Sequence, residues 1–429
     1  MMPLQANTNP TGLASESHAT SVYIARQPIF DINRRTAAYE LLYRSGDDDT
    51  SNVTCPDSAT AATLDRAANL VGLEVLTHGL PAFVNFTRNM LIDGSWQLLP
   101  PDRLVVELLE DIHPDTEVIN ACKAVKDAGY KLALDDYVFE ESHTELLSLA
   151  DIIKYDFQNP DSLAARRRAE RYVNSDVTLL AEKVETHEEF SIARNSGYTL
   201  FQGRFFARPQ TMRARGQNAA TRGALQFLQE LSQPEPSLKI LESALRIEPG
   251  LSAKLLRYLN SAGMGIANRV QSLRQAFTLL GTNGMRRWGA IAIVGHLVKP
   301  ETDEMVRICL ARGRCCEMIG RDLPPTESET LETDLFLAGL LSGLPGLMGQ
   351  PIEEVLQALA VHDQLFTALV SGSGQVGTVC LTAIACESGE WDVMQSMATS
   401  LGIDPEQVAA SHAESILWAD EMVGIHNAT

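Results

Sequence analysis

The sequence predicts an α/β barrel of the TIM type followed by an all-α domain. Over residues 21–210, short runs rich in apolar, β-branched and aromatic residues alternate with helical segments about eight times. Most of these runs end in an acid, an amide or a lysine. From about residue 224 onward, nearly every segment instead has the apolar spacing of a helix.

Each barrel strand is predicted from an apolar run bounded by turn residues. The predicted strands cover residues 21–30, 36–44, 81–86, 103–110, 131–137, 151–157, 178–185 and 199–206. Residues 31–35 form a turn that sends the chain directly back into the second strand. The helix after the fourth strand is expected to stop at Gly129, a residue type that closes helices. Polar residues at the ends of barrel strands would share one site.

Polar segments set the predicted limits of the two domains. Residues 1–20 lack an apolar core, which predicts a disordered tail and argues against a signal peptide. Residues 211–223 are polar, have no strong period and are interpreted as a linker. The barrel domain is therefore expected at 21–210 and the helical domain at 224–429.

The composition excludes several classes of partner. The 429 residues carry a formal charge of −20, which argues against broad binding to nucleic acid or to an anionic membrane. Seven scattered cysteines without a CxxC pair predict a reduced, cytoplasmic protein. No apolar run reaches membrane-spanning length; residues 368–386 come nearest but contain several Gly and Ser residues.

Oxygen ligands dominate the polar residues of the barrel half. Carboxylates with an amide suit Mg²⁺ or Mn²⁺ better than zinc. The adjacent Asp135 and Asp136 could bridge two ions, an arrangement suited to phosphodiester hydrolysis. A lone acid at a strand end is usually an exposed loop residue, but that interpretation weakens when six successive strands end in this way.

A set of short motifs occurs in a specific order along the barrel half. The motifs are QP (27–28), ELLYR (40–44), Asn85, ELLE (107–110), DD (135–136), KYD (154–156), AEKVE (181–185) and QG (202–203). Each motif alone is weak, but the ordered set resembles the EAL-domain phosphodiesterases of bacterial cyclic di-GMP signalling. The resemblance implies a TIM-like barrel that cleaves cyclic di-GMP to the linear dinucleotide.

The same resemblance implies roles for individual residues. The metal ligands would be Glu40, Asn85, Glu107, Asp135 and Asp136, holding Mg²⁺ or Mn²⁺. The catalytic residues would be Glu182, as general base, and Lys154. Residues that contact the ligand or support the metal and its water would be Arg44, Gln27, Gln202 and Asp156. The residues that hold the loop after the aspartates would be Glu110 and Glu185.

Two segments depart from the family pattern. The family's DDFGTG loop is DDYVFEESHT at 135–144, so its glycines are replaced. Lys183 stands where the AEGVE motif has a glycine, and glycine permits backbone shapes that other residues resist. In the family this loop supports metal binding and dimer contacts, so the departure bears on both activity and a homodimer.

The helical half resembles an HDOD domain. The segments that carry this resemblance are 248–265, 272–288, 335–344 and 385–392. In hydrolase relatives a His-Asp metal pair follows the third segment, but Ser342-Gly343 stand there, so no metal is expected in this half. His362-Asp363 falls about twenty residues later and is interpreted as a coincidence. The tandem order resembles bacterial EAL–HDOD signalling proteins, in which the helical domain binds a protein partner.

Three hypotheses remain open at this point. The barrel could bind cyclic di-GMP or a partner without turnover, while the HDOD-like domain mediates protein contacts. It could be a working phosphodiesterase with Mg²⁺ or Mn²⁺. It could also be a scaffold that binds no nucleotide. The retained ligand set favours activity over the scaffold, and the altered loop favours binding without turnover.

Overall fold

The computed structural model describes most of the barrel half and most of the C-terminal helical half. The described residues are 22–45, 73–109, 111–135, 144–158, 176–203, 227, 229–230, 237, 239–241, 243, 260, 270, 272–297, 303–323, 331–348, 350–359 and 361–427. The predicted tail and linker lie outside these ranges. The domain limits at 210 and 224 therefore stay predictions.

Eight strands close into a barrel in chain order, which confirms the predicted fold class. They are β1 (Val22–Asp31), β2 (Thr36–Ser45), β3 (Ala82–Phe86), β4 (Leu104–Leu108), β5 (Lys131–Leu134), β6 (Ile152–Asp156), β7 (Thr178–Glu182) and β8 (Leu200–Phe201). Strands β2 to β8 run parallel to one another, whereas β1 is antiparallel to both of its neighbours, β2 and β8.

The reversed first strand follows from the short connection at 32–35. A connection of this length can join antiparallel strands, but it is too short for a parallel crossover. The Asp31 carboxylate closes the turn by accepting hydrogen bonds from the backbone N–H groups of Asn33 and Arg35, at 2.8 and 2.9 Å. The reversal sets Gln27 of β1 opposite Glu40 of β2.

The inside of the barrel is filled by one apolar residue from each strand, a layer that we call the apolar plug. Its members are Ile29, Ala38, Phe83, Val105, Ala133, Ile152, Leu180 and the partly buried Leu200. Residues of the opposite strand faces, such as Val84, Val106 and Ile153, belong to a separate core between the barrel and its surrounding helices. This alternation is the two-residue period of a strand.

The described helices of the barrel half are short. They are α1 (Leu73–Thr77), α2 (Arg88–Asp93), α3 (Thr116–Asp127), α4 (Thr144–Leu149) and α5 (His187–Asn195). Asp115 begins α3 by accepting a hydrogen bond from the Val118 N–H. After α3, Gly129 has a left-handed backbone with φ of 88°.

The described C-terminal half is helical, as predicted. Its helices are α6 (Leu273–Leu297), α7 (Asp303–Arg321), α8 (Leu331–Ser342), α9 (Leu344–Met348), α10 (Ile352–Leu359), α11 (Asp363–Ser371), α12 (Gly374–Glu387), α13 (Trp391–Leu401) and α14 (Pro405–Asn427). Helix α6 is interrupted at Gly281, which has φ of 65°. Buried residues of α7, α8, α12 and α14 form one large apolar core.

Within the described ranges, no single helix is long and apolar enough to cross a membrane. The bent pair α11 and α12, with 41° between its helices, passes by length and composition alone. Seven of the 14 residues of α12 are buried.

Candidate functional site

A layer of polar side chains lies directly above the apolar plug. Each of these residues stands two positions after the plug residue of its own strand, so both side chains face inward. The polar residues of strands β2 to β8 are Glu40, Asn85, Glu107, Asp135, Lys154, Glu182 and Gln202. Gln27 stands two positions before Ile29 instead, because β1 runs in the opposite direction.

The ammonium group of Lys154 is the centre of this layer. Its Nζ lies 2.7 Å from Glu182 Oε1, 3.2 Å from Asp135 Oδ1 and 3.6 Å from Glu40 Oε2. It also donates a hydrogen bond to Glu107 Oε1. The Lys154 side chain is buried. Four carboxylates from four strands thus converge on one buried cation.

Burial and the neighbouring charges shift the pKa values of these groups. Burial raises the pKa of Glu107 to about 8, although Lys154 opposes this shift. Burial likewise raises the pKa of Glu182 well above its ordinary value. For Lys154, burial lowers the pKa, but the surrounding carboxylates outweigh it and hold the pKa well above the usual range. Four carboxyl groups buried around one cation therefore favour the protonated forms of Glu107 and Glu182.

Three buried oxygens of this layer are of the kind that bind a hard cation. Asn85 Oδ1 and Glu107 Oε2 have no hydrogen-bond partner among the described residues, and Asp135 Oδ1 has only its ion pair with Lys154. Carboxylate and amide oxygens are the ligands that Mg²⁺ and Mn²⁺ prefer. No three His, Cys, Asp or Glu side chains in the described ranges are already close enough to hold an ion. The donor set fits a metal, but Lys154 holds the carboxylates around itself.

Two glutamines connect the carboxylate cluster to the helical half. Gln202 Nε2 donates to Glu40 Oε2 at 2.7 Å and to Gln27 Oε1 at 2.8 Å. Gln27 Nε2 donates in turn to the backbone carbonyl of Ser388, just after α12, at 2.9 Å. The predicted ligand Glu40 is therefore oriented by a hydrogen-bonded chain that begins in the other domain.

Gly203 holds Gln202 in place through a close backbone contact. The Gln202 carbonyl accepts a hydrogen bond from the Val184 N–H at 3.0 Å. A Cβ added at Gly203 would lie 2.2 Å from the Val184 carbonyl oxygen, and Gly203 has φ of 139°. Only glycine fits this position without a shift of the β7–β8 connection.

We expect Gly203→Ala to destabilise the protein by at least about 2 kcal/mol, because backbone strain and overpacking add at this position. Urea denaturation would measure the loss. Gly129→Ala is the matched control, because it also has a positive φ but its Cβ would meet nothing within 4 Å. Equal losses in the two variants would contradict the close-contact explanation.

Asp156 and Lys183 form an ion pair at the rim of the site. Lys183 Nζ lies 2.7 Å from Asp156 Oδ2, and the Gln158 N–H donates to Asp156 Oδ1 at 2.7 Å. Lys183 has φ of 50°, the left-handed conformation that glycine adopts easily. Lys183 thus has a backbone shape that glycine adopts easily, and its ammonium group engages Asp156.

Several predicted site residues lie outside the described part of the chain. Asp136 and Glu110 are outside the described ranges, and Arg44 lies in β2 but its side chain is not described. Glu185 lies on the rim of the cavity described below, and its N–H donates to the Glu189 carboxylate at 2.7 Å. The structure brings the remaining predicted residues together at one end of the barrel.

Sequence reasoning missed the contact between the two halves at the mouth of the barrel, which is the end that carries the polar layer. Arg26 of β1 pairs with Asp420 of α14 at 3.2 Å, and His78 Nε2 lies 3.0 Å from the same carboxylate. The Tyr39 hydroxyl donates to Glu304 Oε2 of α7 at 2.7 Å. No periodic pattern in the sequence reports these partners, which are hundreds of positions apart.

An interdomain cavity of about 490 Å³ lies between the mouth and the helical half. Its barrel wall includes Glu40, Asp135, Glu182 and Gln202, and its helical wall includes residues of α7, α12 and α14. This volume is within the range of small-molecule sites. A ligand at the carboxylate cluster would therefore lie next to the helical domain.

His412 of α14 faces this cavity and is almost completely buried. Burial lowers the pKa of His412 to about 4. A histidine whose pKa is depressed in the folded state stabilises the fold above its unfolded pKa of about 6.5 and loses that contribution as the pH falls toward 4.

Between pH values of about 6.5 and about 4, we expect the unfolding free energy of the parent to fall by about 3 kcal/mol more than that of His412→Gln. Denaturation of both proteins across this pH range would measure the difference. Parallel pH profiles would contradict this expectation.

In the helical half, Ser342 is part of a partly buried ion-pair network. Its hydroxyl accepts a hydrogen bond from Arg312 Nη1 at 2.7 Å, and Arg312 forms two bonds with the Glu387 carboxylate, at 2.9 and 2.8 Å. His362 has a structural contact as the N-terminal cap of α11, where it accepts from the Leu365 N–H.

Two family models match the chain, one in each half. The EAL domain matches residues 81–209, and the HDOD domain matches residues 220–359. The Klebsiella pneumoniae protein BlrP1, solved as a calcium and cyclic di-GMP complex, is 25% identical, with 44% of this chain and 56% of that chain covered and a TM-score of 0.36.

Two curated relatives match almost the whole chain. The cyclic di-GMP phosphodiesterase CdgJ of Vibrio cholerae is 29% identical over 405 residues, which are 94% of this chain and 93% of CdgJ. The uncharacterised protein YuxH of Bacillus subtilis is 30% identical over 410 residues, which are 94% of this chain and 99% of YuxH. The chain therefore belongs to the family of signalling proteins in which an EAL domain is followed by an HDOD domain.

Proposed function

We propose that the barrel is a metal-dependent phosphodiesterase that opens one phosphodiester of cyclic di-GMP and releases the linear dinucleotide. The observation that carries the proposal is the convergence of inward-facing carboxylates on Lys154 above the apolar plug. The near full-length similarity to CdgJ supports the choice of substrate.

The residues proposed to hold the metal are those with oxygens directed into the layer. They are Glu40, Asn85, Glu107 and Asp135, together with Asp136, which lies outside the described residues. Divalent cations held there would supply a hydroxide near neutral pH and stabilise the leaving oxygen. Lys154 would be released from part of its present pairing, because the carboxylates would turn toward the added positive charge.

Glu182 and Lys154 are the proposed catalytic residues. A carboxylate with a raised pKa is suited to accept a proton from the attacking water near neutral pH. The ammonium group of Lys154, 2.7 Å from Glu182, would stabilise the negative charge that develops on the phosphate. Gln202 and Gln27 would keep Glu40 oriented, and Asp156 would support the rim.

Nucleotide binding without turnover is the second candidate function. The observation that favours it is that Asp156 forms an ion pair with Lys183 and accepts a hydrogen bond from the Gln158 N–H. A carboxylate held in this way is less able to support a metal-bound water. The helical domain is proposed to bind a protein partner in either case.

The test is turnover of cyclic di-GMP by the full chain with Mg²⁺ or Mn²⁺, beside Glu40→Gln. Linear dinucleotide formed by the parent and not by the variant would support the phosphodiesterase. Binding of cyclic di-GMP without product would support the second candidate. Neither binding nor product would leave a scaffold and contradict both proposals.

A further inference from the structure

The helical wall of the interdomain cavity contains a cation that none of the predicted roles uses. Arg307 of α7 lines the cavity, and its side chain is 19% exposed. Its Nε is buried and has no hydrogen-bond partner among the described residues. Its Nη1 donates a hydrogen bond to Glu304 Oε2 at 3.4 Å, and its Nε forms an ion pair with Asp420 Oδ1 at 3.5 Å. A guanidinium has five N–H donors, so most of its donor capacity remains.

The lining of the cavity contains more acidic than basic side chains. The acidic residues of its lining are Glu40, Asp135, Glu182, Glu185, Glu304, Glu387 and Glu390. Against these seven carboxylates stand three residues that are cationic at neutral pH, Arg26, Lys183 and Arg307. A cyclic dinucleotide carries two phosphodiester charges, and each needs a positive partner in such a site.

The other two cations have shorter contacts than Arg307 has. Arg26 donates to the Leu76 carbonyl at 2.5 Å and to both Asp420 oxygens, and its guanidinium stacks on the Tyr39 ring at 4.8 Å. Lys183 is paired with Asp156. Among the described cavity residues, Arg307 therefore has the most donor capacity to offer a ligand.

We propose that Arg307 binds a phosphodiester of the dinucleotide, so that the catalytic site is composed of both domains. This inference rests on the proposed function, because it takes cyclic di-GMP as the ligand. One phosphodiester would lie at the carboxylate cluster of the barrel, and the other would face the opposite wall, where Arg307 forms charge-assisted bonds with its oxygens. The helical domain then contributes directly to substrate affinity as well as to partner binding.

The test compares Arg307→Ala and Arg307→Lys in the full chain, with cyclic di-GMP as the probe and Mn²⁺ present. Equilibrium binding gives Kd, and steady-state kinetics give KM and kcat. We expect Arg307→Ala to raise Kd and KM about tenfold or more, the size expected for bonds to a charged group, with much less change in kcat. We expect the Kd and KM of Arg307→Lys, which keeps the charge, to lie between those of the parent and those of Arg307→Ala.

Two control variants separate a ligand contact from a structural effect. Arg321→Ala removes a cation from the far end of the same helix, where it pairs with Glu317. Tyr39→Phe removes an interdomain hydrogen bond without removing a cation. Parent-like affinity in both controls, with loss in Arg307→Ala, would support the proposal.

Parent-like affinity in Arg307→Ala, or equal losses in Arg307→Ala and Tyr39→Phe, would overturn the proposal. If Arg307→Ala does not fold, the comparison of Arg307→Lys with the parent decides: a measurable rise in Kd supports a directed contact, and none overturns it. A parent that neither binds nor cleaves the dinucleotide would instead reject the proposed function itself. The two failures are therefore distinguishable.

Discussion

Asp135→Asn is expected to reduce metal-dependent cleavage of cyclic di-GMP by about 100-fold or more. Mutation of residues that only support the metal ligands already lowers metal affinity or activity by about 10–100-fold. The substitution removes a charged ligand and keeps the shape of the side chain. The Oδ1 atom of Asp135 is buried without a hydrogen-bond partner, and its closest cation is Lys154, 3.2 Å away. The atom is thus available to a metal in the folded protein.

The same variant should remain folded. Asp135 is one of four carboxylates around Lys154, so removing one negative charge relieves repulsion among the remaining three. We therefore expect the metal-free variant to be at least as stable as the parent in urea denaturation. Direct titration with Mn²⁺ should show weaker binding, which separates loss of the metal from loss of the fold.

Asp127→Asn is the matched control for this experiment. Asp127 ends α3 on the exposed surface of the barrel, and the change in charge and shape is identical. The control should have the activity and Mn²⁺ affinity of the parent. Full activity in Asp135→Asn would show that this carboxylate does not hold the metal and would remove the ligand assignment.

The inward-facing site could be predicted because strand periodicity fixes it. Once Val105 is placed inside the barrel, Glu107 must follow on the same face, and the same relation places Lys154 after Ile152. The hairpin before Thr36 likewise predicts that the first strand runs against the second. These relations are local, so a single sequence contains them.

The role of the helical domain at the site could not be predicted. Gln27 reaches the Ser388 carbonyl across 361 positions, and Arg307 faces the barrel mouth only because α7 and α14 dock there. Helical periodicity identifies which side of α7 is apolar, but it does not identify which external surface that helix meets. The ion pairing of Lys154 with four carboxylates also depends on closure of the barrel, which no single strand encodes.

Lys154→Met is expected to destabilise the metal-free protein by about 3 kcal/mol or more, because removing one partner of a buried ion pair leaves the other charge uncompensated. Here the loss leaves the carboxylates of Glu40, Glu107, Asp135 and Glu182 around an apolar side chain. Urea denaturation in the presence of a chelator would measure the change. Lys126→Met is the control: its pair with Asp151 is partly exposed, so the expected loss is about 1 kcal/mol or less.

Added Mn²⁺ should restore most of the stability of Lys154→Met but not its activity. A divalent cation can replace the missing positive charge among the carboxylates, and binding to the folded state stabilises it. It cannot replace an ammonium group that acts on the phosphate. Stabilisation by Mn²⁺ should therefore be larger in the variant than in the parent. Equal stabilisation of both proteins would mean that Lys154 and the metal do not share one set of carboxylates, and the site would then need a different arrangement of ligands.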